Sequence, residues 1–298
     1  MNNHTMMNEL AEIDEIEHSK SAFAECCSRL FRNKAALFGL IVMVAVILIA
    51  IFAPLLAPYD YAKQNLPEML QGPSFEHPFG TDEFGRDIFS RVIYGSRVSL
   101  QVGFLAIGIS LLVGLLLGSI AGYYGGILDQ CICALMDIAW AFPMTLIAIA
   151  IIAILGPGLF NVCLAIAACS WAAFARIVRG QFLSLRNQEF VEAARVLGFS
   201  DLRIILRHIF PNALAPVVVL TTLEVPKAII VEATLSFLGL GVQPPMPSWG
   251  SIMSSGRSFL FDAPWITIFP GVMIILVVMG FNLFGDALRD SMDPRLRD

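Results

Sequence analysis

The sequence predicts an all-α membrane protein with six transmembrane helices. Of its 298 residues, 57% are hydrophobic and 14% are charged, whereas a soluble domain usually carries about a quarter charged residues. The mean hydropathy is +0.75. A soluble fold of this size could not bury that much apolar surface, because a folded surface still needs polar cover. The composition therefore excludes an ordinary soluble enzyme, a disordered protein and a nucleic-acid-binding protein.

Apolar runs of membrane-spanning length locate the predicted helices. About 20 residues cross the hydrocarbon core of a bilayer, at about 1.5 Å per residue. Six runs qualify, at residues 35–57, 98–121, 130–155, 159–175, 213–240 and 263–285. Four of them carry no charged side chain, whereas the third contains Asp137 and the fifth contains Glu224, Lys227 and Glu232. The sequence therefore predicts six spans, of which the fifth is the most polar.

The distribution of lysine and arginine predicts how the spans are oriented. With an even number of spans, both termini lie on one side of the membrane. That side would hold 13 of the 19 Lys and Arg residues, and the opposite side would hold 4. Because cytoplasmic loops carry an excess of Lys and Arg, both termini are predicted to be cytoplasmic.

This orientation divides the chain into segments. They are an N-terminal cytoplasmic tail at 1–34, the first transmembrane helix at 35–57, an external loop at 58–96, a five-helix membrane domain at 97–289 with a cytoplasmic loop at 186–212, and a C-terminal cytoplasmic tail at 290–298. The net charge of −5 belongs to the first tail, since residues 1–25 hold six acids and one base. We expect a solvated arm there, with an acidic docking arm as the alternative.

The cytoplasmic loop at 186–212 is the most patterned polar stretch of the chain. Its first part is rich in helix formers and ends at Gly198, a residue type favoured just past the end of a helix. Ser200 or Asp201 can cap the helix that follows. Pro211 is expected to limit the continuation of that helix into the next span. The loop is therefore predicted to contain two short helices joined at Gly198.

The second short helix is amphipathic. Four apolar residues have the i, i+3, i+4, i+7 spacing of one helical face: Leu202, Ile205, Leu206 and Ile209. Arg203, Arg207 and His208 occupy the other faces. An apolar ridge with basic flanks suits the groove of a partner protein, and it equally suits the surface of a lipid bilayer.

The same loop resembles a known motif. Glu-Ala-Ala at 192–194, three residues, Gly198, nine residues and a four-residue group ending at Pro211 follow the EAA-x3-G-x9-I-x-L-P pattern of bacterial ABC-importer permeases. Two positions depart from the pattern, because His208 stands where isoleucine is usual and Phe210 replaces leucine. In that family the loop seats in a cleft of the ATPase subunit. The resemblance therefore favours a protein partner over the lipid surface.

Three further motifs extend the resemblance beyond the loop. They are His-Pro-Phe-Gly-Thr-Asp at 77–82, Leu-Ser-Phe-Leu-Gly-Leu-Gly at 235–241 and Asn-Leu-Phe-Gly-Asp at 282–286. From Phe31 onward the chain is similar to the C-type permeases of dipeptide, oligopeptide and nickel importers. The resemblance implies the six-helix, MetI-like architecture of type I ABC importers and a place in a bacterial inner membrane.

The resemblance also implies partners and a set of coupling residues. The chain would pair with a second homologous permease, two ABC ATPase subunits and an external solute-binding protein within the lipid bilayer, and it would bind no nucleic acid. The residues expected to couple to the ATPase are Glu192, Ala193, Ala194, Gly198, Ser200, Asp201, Leu202, Ile205, Leu206, Ile209 and Pro211.

Catalytic and nucleotide-binding motifs do not occur in the sequence. There is no GxxxxGK[ST] loop, so ATP and Mg would be bound by the partner ATPase subunits. No HExxH or GxSxG motif occurs, and the four histidines and six cysteines have no metal-ligand spacing. The chain is therefore predicted to be no enzyme and to hold neither a cofactor nor a metal. The resemblance of His77 to the family's His-Pro turn favours a structural role over that of a nickel ligand.

Ionisable residues inside the spans are candidates for a substrate pathway, because such residues are costly in a membrane and often functional. Glu224 and Lys227 are three residues apart, so they can meet on one side of a helix. They form either a neutralising pair that faces other helices or a part of the path that contacts a peptide terminus. Glu232 fits the acid that the family carries before the 235–241 motif, and Asp137 stands alone in the third span.

The predicted function is the permease half of an ATP-driven importer of dipeptides or oligopeptides. Nickel or another small solute is the alternative cargo within the same family. Two alternatives from other classes use the span acids: a proton-coupled secondary transporter through Asp137, Glu224 and Glu232, and an intramembrane enzyme using Asp137 or Glu232. Neither of these needs a dock for an ATPase, so the EAA pattern argues against both.

Overall fold

The computed structural model describes residue 30 and residues 32–292 of the chain. The acidic stretch 1–25 and most of the predicted C-terminal tail lie outside the described residues. The described part is almost entirely helical, with an isolated antiparallel bridge between Thr81 and Asp87. Its helices are α1 (Lys34–Ile51), α2 (Ala53–Leu56), α3 (Ile88–Tyr124), α4 (Gly126–Trp140), α5 (Met144–Leu155), α6 (Leu159–Leu185), α7 (Glu189–Val196), α8 (Asp201–Ile204), α9 (Phe210–Phe237), α10 (Trp249–Gly256) and α11 (Trp265–Met292), with a π-helical turn at Ile205–Ile209 and 3₁₀ turns at Leu66–Glu68 and Arg257–Phe259.

The six predicted spans are present in the described residues, but one of them is broken. Five helical runs are long and apolar enough to cross a membrane: α1, α3, α6, the run Asp201–Phe237 and α11. The pair α4 and α5 makes the sixth, and its halves are bent by 91°. The third span is therefore not the single helix that the run at 130–155 indicates. Pro143 lies at the break, where it lacks an N–H donor and disfavours the helical conformation in the residue before it.

Two of the spanning helices extend well beyond the charge-free runs that predicted them. α3 begins at Ile88 rather than at residue 98, because the Asp87 side chain caps it by accepting a hydrogen bond from the Ser90 N–H (2.7 Å). α6 continues past residue 175 to Leu185. Charged side chains end an apolar run, but the end of a helix is set by its caps and by backbone hydrogen bonds.

The close packing of α3 against α6 lies at the centre of the fold. Gly114, Gly118 and Gly122 on α3 follow the i, i+4 spacing of one face, and a Cβ at Gly118 would lie 2.6 Å from the carbonyl oxygen of Ala175 on α6. Small residues of this kind let two membrane helices approach closely. Because α9 packs against α3, α6 and α11, this pair also positions the helix that carries Glu224, Lys227 and Glu232.

Candidate functional site

The 186–212 segment reverses direction at Gly198. Gly198 follows α7 with a φ of +77°, in the left-handed region that glycine adopts without strain. The N–H of Gly198 donates to the carbonyl of Arg195 (2.9 Å), and the N–H of Phe199 donates to the carbonyl of Ala194 (3.1 Å). These two bonds form a Schellman motif, which ends a helix. The predicted helix end at Gly198 is confirmed.

The second arm of the segment begins at Asp201, with Ser200 as its N-cap residue. The expected side-chain cap does not form among the described residues. Instead, the Asp201 carboxylate accepts a hydrogen bond from the Tyr123 hydroxyl (2.7 Å), and the Arg195 guanidinium lies 5.7 Å from the centre of the Tyr123 ring. Tyr123 therefore connects both arms of the segment to the end of α3. No local pattern predicts this contact, because its partners are far apart in the sequence.

The helix does not stop at Pro211, so the predicted break there is wrong. α8, the π-helical turn and α9 form one continuous run of 37 residues, Asp201–Phe237. Pro211 lies in the first turn of α9, directly after the π turn in which the Phe210 N–H donates to the Ile205 carbonyl. In an α-helix the proline ring clashes with the carbonyl four residues earlier, and the wider π turn opens the backbone at that point.

The π turn changes which side chains face outward. Ile204 and Ile209, five residues apart, are both fully buried in the main core. Leu202 and Leu206 are 66% and 57% exposed, whereas Ile205 is half-buried. The predicted single face is therefore split, with Ile209 inside and the two leucines outside. The prediction assumed 3.6 residues per turn throughout, and a π turn holds more.

The Glu-Ala-Ala stretch on α7 shows the same division between an inner and an outer face. Ala194 is buried together with Val191 in the same core as Ile204, whereas Glu192 and Ala193 are exposed. The inner face of each arm therefore belongs to the main hydrophobic core. This packing holds the segment in a defined position.

Exposed apolar side chains project from both arms. We call them the apolar ridge, and its members are Val196, Leu197, Leu202 and Leu206. Val196, at the end of α7, is 88% exposed. Exposed apolar residues on a rigid base are typical of a protein contact site. The geometry can therefore serve as a preformed dock.

Two arginines fasten the base of the segment to neighbouring helices. Arg186 donates through Nη1 to the carbonyls of Gly122 (3.1 Å) and Tyr123 (3.3 Å). Arg179 binds both carboxylate oxygens of Asp129, with 2.8 Å between Nη2 and Oδ2. The sequence does not predict these anchors, because the arginines of α6 indicate only the orientation of the spans and no local pattern identifies their partners.

Asp137 has a partner, contrary to the prediction that it stands alone in its span. Its Oδ1 lies 2.9 Å from Nη2 of Arg176 on α6, and that guanidinium stacks over the Trp140 ring at 4.0 Å. Both side chains of the pair are largely exposed in this chain. An exposed ion pair contributes little to stability.

Glu224 and Lys227 meet as their spacing predicts. Lys227 Nζ lies 2.6 Å from Glu224 Oε1. The two side chains differ in their surroundings, since the Glu224 side chain is buried whereas that of Lys227 is 62% exposed. The pair therefore holds its acid inside the helix bundle and presents its cation on the surface.

Glu232 is fully buried and does not join this pair. It accepts hydrogen bonds from the hydroxyls of Ser99 (3.1 Å) and Ser236 (2.7 Å), and Ser99 also accepts from the backbone N–H of Trp249 (3.4 Å). Glu232 therefore links α9 to α3 and to the start of α10. It reaches no surface of the described chain.

The stretch 58–87, which we call the cap, carries a second polar cluster. His77 Nδ1 lies 2.8 Å from Asp87 Oδ1, and its Nε2 lies 3.3 Å from Glu68 Oε2. Burial lowers the pKa of His77, but the hydrogen bonds to Asp87 and Glu68 outweigh it and raise that pKa above its ordinary value. Because Asp87 also caps α3, these contacts support the structural role expected of His77.

Aromatic contacts seat the cap on α11. The Trp265 indole N–H donates to the Thr81 carbonyl (3.1 Å), and the ring of Phe79 stacks on that of Phe269 with centroids 3.8 Å apart. Within the cap, Arg86 and Asp82 form an ion pair (2.6 Å). The 77–82 motif is therefore a folded anchor for the cap.

Comparison with known proteins identifies the family. Residues 114–298 match the model of the binding-protein-dependent transport system inner membrane component, and residues 21–73 match that of the N-terminal TM domain of oligopeptide transport permease C. The chain is 52% identical over 277 residues to the dipeptide transport system permease protein DppC of Alkalihalophilus pseudofirmus, covering 93% of this chain and 91% of the relative. It is 45% identical over 279 residues to the oligopeptide transport system permease protein OppC of Bacillus subtilis, covering 94% and 92%.

A solved structure confirms the MetI-like fold. In the inward-facing conformation of the MetNI methionine ABC transporter, one chain superposes with a TM-score of 0.56 at 18% identity, covering 69% of this chain and 98% of that chain. Members of the matched family are membrane components of transporters, so the prediction that this chain is not an enzyme is confirmed. The four-motif resemblance, the helical architecture and the family matches agree: the chain belongs to the family of binding-protein-dependent transport inner membrane components, as a C-type permease of an ABC importer.

Proposed function

We propose that this permease forms half of a translocation pathway for dipeptides or oligopeptides in a bacterial inner membrane. Two relatives that match more than nine-tenths of the chain are named for dipeptide and oligopeptide transport, which supports this cargo. The other half is a second homologous permease, and an external solute-binding protein delivers the cargo. Both termini lie in the cytoplasm, as the distribution of Lys and Arg favours.

The 186–212 segment couples the pathway to one of the two ATPase subunits. The observation that carries this assignment is the apolar ridge, which is exposed on arms whose inner faces are buried. Fully burying a leucine is worth roughly 1.5–3 kcal/mol. A cleft that closes over Leu202 and Leu206 would therefore gain about 2–4 kcal/mol, because both are more than half exposed. Arg203 and Arg207 flank the ridge with positive charge.

The conformational change of the ATPase subunits is transmitted to the membrane domain through α9. ATP and Mg are bound by the ATPase subunits, since this chain has no phosphate-binding motif. The docking arm and α9 belong to one continuous helical run, Asp201–Phe237. A displacement of the dock therefore reaches the span that carries Lys227 and Glu232. Import follows when the nucleotide state of the ATPases stabilises one arrangement of the two membrane halves over the other.

The test replaces one member of the apolar ridge by a charge. Leu206→Asp puts a carboxylate into the proposed contact, so ATPase subunits should co-purify poorly and ATP-dependent uptake of labelled dipeptides should fall by at least about tenfold. Leu206→Met keeps the apolar contact and should behave like the wild type. Ile127→Asp adds the same charge at another exposed apolar position, at the start of α4, and serves as the matched control.

The outcomes separate coupling from cargo. Full uptake by a Leu206→Asp importer with its ATPase subunits attached would refute the docking role. Competition by unlabelled dipeptides, oligopeptides and nickel ions identifies the cargo. Competition by nickel alone would replace the peptide assignment with nickel.

A further inference from the structure

An outward stripe runs the length of α9. Its members recur every three or four residues, and all are partly or fully exposed: Pro216, Leu220, Leu223, Lys227, Ile230 and Thr234. Five of the six are uncharged, and Lys227 lies in the middle of the stripe. A helix face of this kind either meets lipid, meets another protein or lines a path. The position of the lysine distinguishes between these.

Lys227 lies too deep in α9 for its charge to reach the membrane surface. At least nine residues separate it from either end of the helix, which corresponds to roughly 15 Å. A lysine side chain can extend its ammonium group by roughly 6 Å along the helix. A charge at this depth against lipid is costly, so residues of this type face protein or water. The stripe therefore does not face the lipid.

The chemistry of the pair leaves the cation available to a ligand. An ammonium group has three N–H donors, and the bond to Glu224 uses one of them. Glu224 is buried inside the helix bundle. Its negative charge reduces the energetic cost of placing the Lys227 ammonium group in the membrane, but it leaves much of the Lys227 side chain exposed. The Lys227 side chain is 62% exposed, although its ammonium group contacts Glu224. This arrangement offers a positive group to a carboxylate.

An apolar cavity lies beside the stripe, one helical turn from Lys227. Its volume is about 470 Å³, and its lining includes Leu220, Leu223, Ile177 of α6 and Arg289 of α11. Ligand sites of small molecules are mostly apolar cavities of this size with a few polar groups that fix the orientation. Arg289 belongs to this lining, whereas Lys227 lies outside it, four residues along α9 from Leu223. The cavity suits an amphipathic solute with an acidic end.

We propose that Lys227 binds the carboxylate of the solute as it passes, in most cargo the C-terminal carboxylate of a peptide. The incoming carboxylate shares the ammonium group with Glu224, and the apolar cavity receives side chains of the solute. This inference rests on the proposed function, since it requires a carboxylate-bearing cargo. It assigns to the permease a selectivity of its own, and the family motifs do not include either residue of the pair.

The experiment compares two ligands in the complete importer. Proteoliposomes contain both permeases and the ATPases, with the binding protein supplied outside. The probes are labelled alanyl-phenylalanine and its C-terminal amide. Each variant is scored by the ratio of the two ATP-dependent uptake rates, relative to that ratio in the wild type. Because the same binding protein serves every variant, its own preference cancels from this comparison.

Lys227→Gln should lower uptake of the free peptide by about tenfold, as expected for a lost charge-assisted hydrogen bond, and change uptake of the amide by less than about twofold. Lys227→Arg keeps the cation and should retain most of the wild-type preference. The double variant Glu224→Lys with Lys227→Glu keeps the pair neutral but buries the cation. This double variant should still import the amide, whereas its uptake of the free peptide should stay low.

Equal losses for both peptides in Lys227→Gln would overturn the inference, since they would indicate a contact with the partner permease or a purely structural pair. Full recovery of free-peptide uptake by the double variant would do the same. If the wild-type importer shows no ATP-dependent uptake of either peptide, the proposed function fails and this inference fails with it. Uptake of both peptides with an unchanged ratio in every variant defeats this inference alone.

Discussion

Substitutions at Gly198 test the backbone geometry of the 186–212 segment without changing its side-chain packing. A Cβ at Gly198 would meet no heavy atom within 4 Å among the described residues, so alanine fits there without a clash. The penalty comes from the φ of +77°, which costs an L-residue about 1–2 kcal/mol. A residue that leaves this region also breaks the bonds to the Arg195 and Ala194 carbonyls, worth about 1 kcal/mol each.

These magnitudes predict a graded series. Asparagine adopts the left-handed region more readily than alanine, whereas proline fixes φ near −65° and has no N–H to donate. A cost of 1–2 kcal/mol changes the ratio of correctly folded to displaced segment by roughly 5- to 30-fold. We expect uptake near the wild-type rate for Gly198→Asn, a loss of up to about tenfold for Gly198→Ala, and no uptake for Gly198→Pro.

The assay is ATP-dependent peptide uptake into proteoliposomes, normalised to the amount of co-purified ATPase. Gly180→Ala is the matched control, because a Cβ at Gly180 also meets nothing within 4 Å and this residue lies in α6 without a positive φ. Alanine there should leave uptake unchanged. Normal uptake by an assembled Gly198→Pro importer, or equal rates for the two alanine variants, would refute the reasoning.

Three further predictions concern the polar contacts. Because the pKa of His77 is raised above 6.5, its ring donates to both Asp87 and Glu68 below about pH 6.5 and loses one of these two donors as the pH rises through the raised value. Limited proteolysis should therefore cut the cap faster at high pH than at about pH 6, and His77→Gln should remove that difference. Glu232→Ala leaves the Ser99 and Ser236 hydroxyls without their acceptor and should destabilise the purified complex by several kcal/mol, more than Glu232→Gln, measured by thermal unfolding. Asp137→Asn breaks an exposed pair and should change stability by less than about 1 kcal/mol and leave uptake unchanged.

Each of these has an outcome that contradicts it. Cap cleavage that stays independent of pH in the wild type would remove the role given to His77. Equal unfolding temperatures for Glu232→Ala and the wild type would show that its hydrogen bonds do not hold α3, α9 and α10 together. A large loss of uptake in Asp137→Asn would instead support a place for Asp137 in the substrate pathway.

Features of this fold that depend on near neighbours in the chain could be predicted. The end of α7 at Gly198 follows from the backbone freedom of one residue. The contact of Glu224 with Lys227 follows from an i, i+3 spacing. The six apolar runs follow from the thickness of the bilayer. Each of these rests on a rule that acts within a few residues.

The remaining features depend on partners that are distant in the sequence or on local departures from regular geometry. Asp137 binds Arg176 on another helix, and Glu232 accepts a hydrogen bond from Ser99, which is more than a hundred residues away in the sequence. The π turn before Pro211 keeps the helix continuous where a proline rule predicts an end. The same turn moves Ile209 inward, so one irregular turn accounts for two wrong predictions.

The unbroken run Asp201–Phe237 also has a mechanical consequence. Its 37 residues make a rod about 55 Å long, with the dock at one end and the Ser99–Glu232 contact near the other. A tilt of about 5° about one end moves the opposite end by roughly 5 Å, about one helical turn. The π turn, Pro216 and Pro226 interrupt the regular backbone hydrogen bonding of this lever. The stiffness of the whole run therefore determines how much of a displacement at the dock is transmitted to the opposite end of the helix.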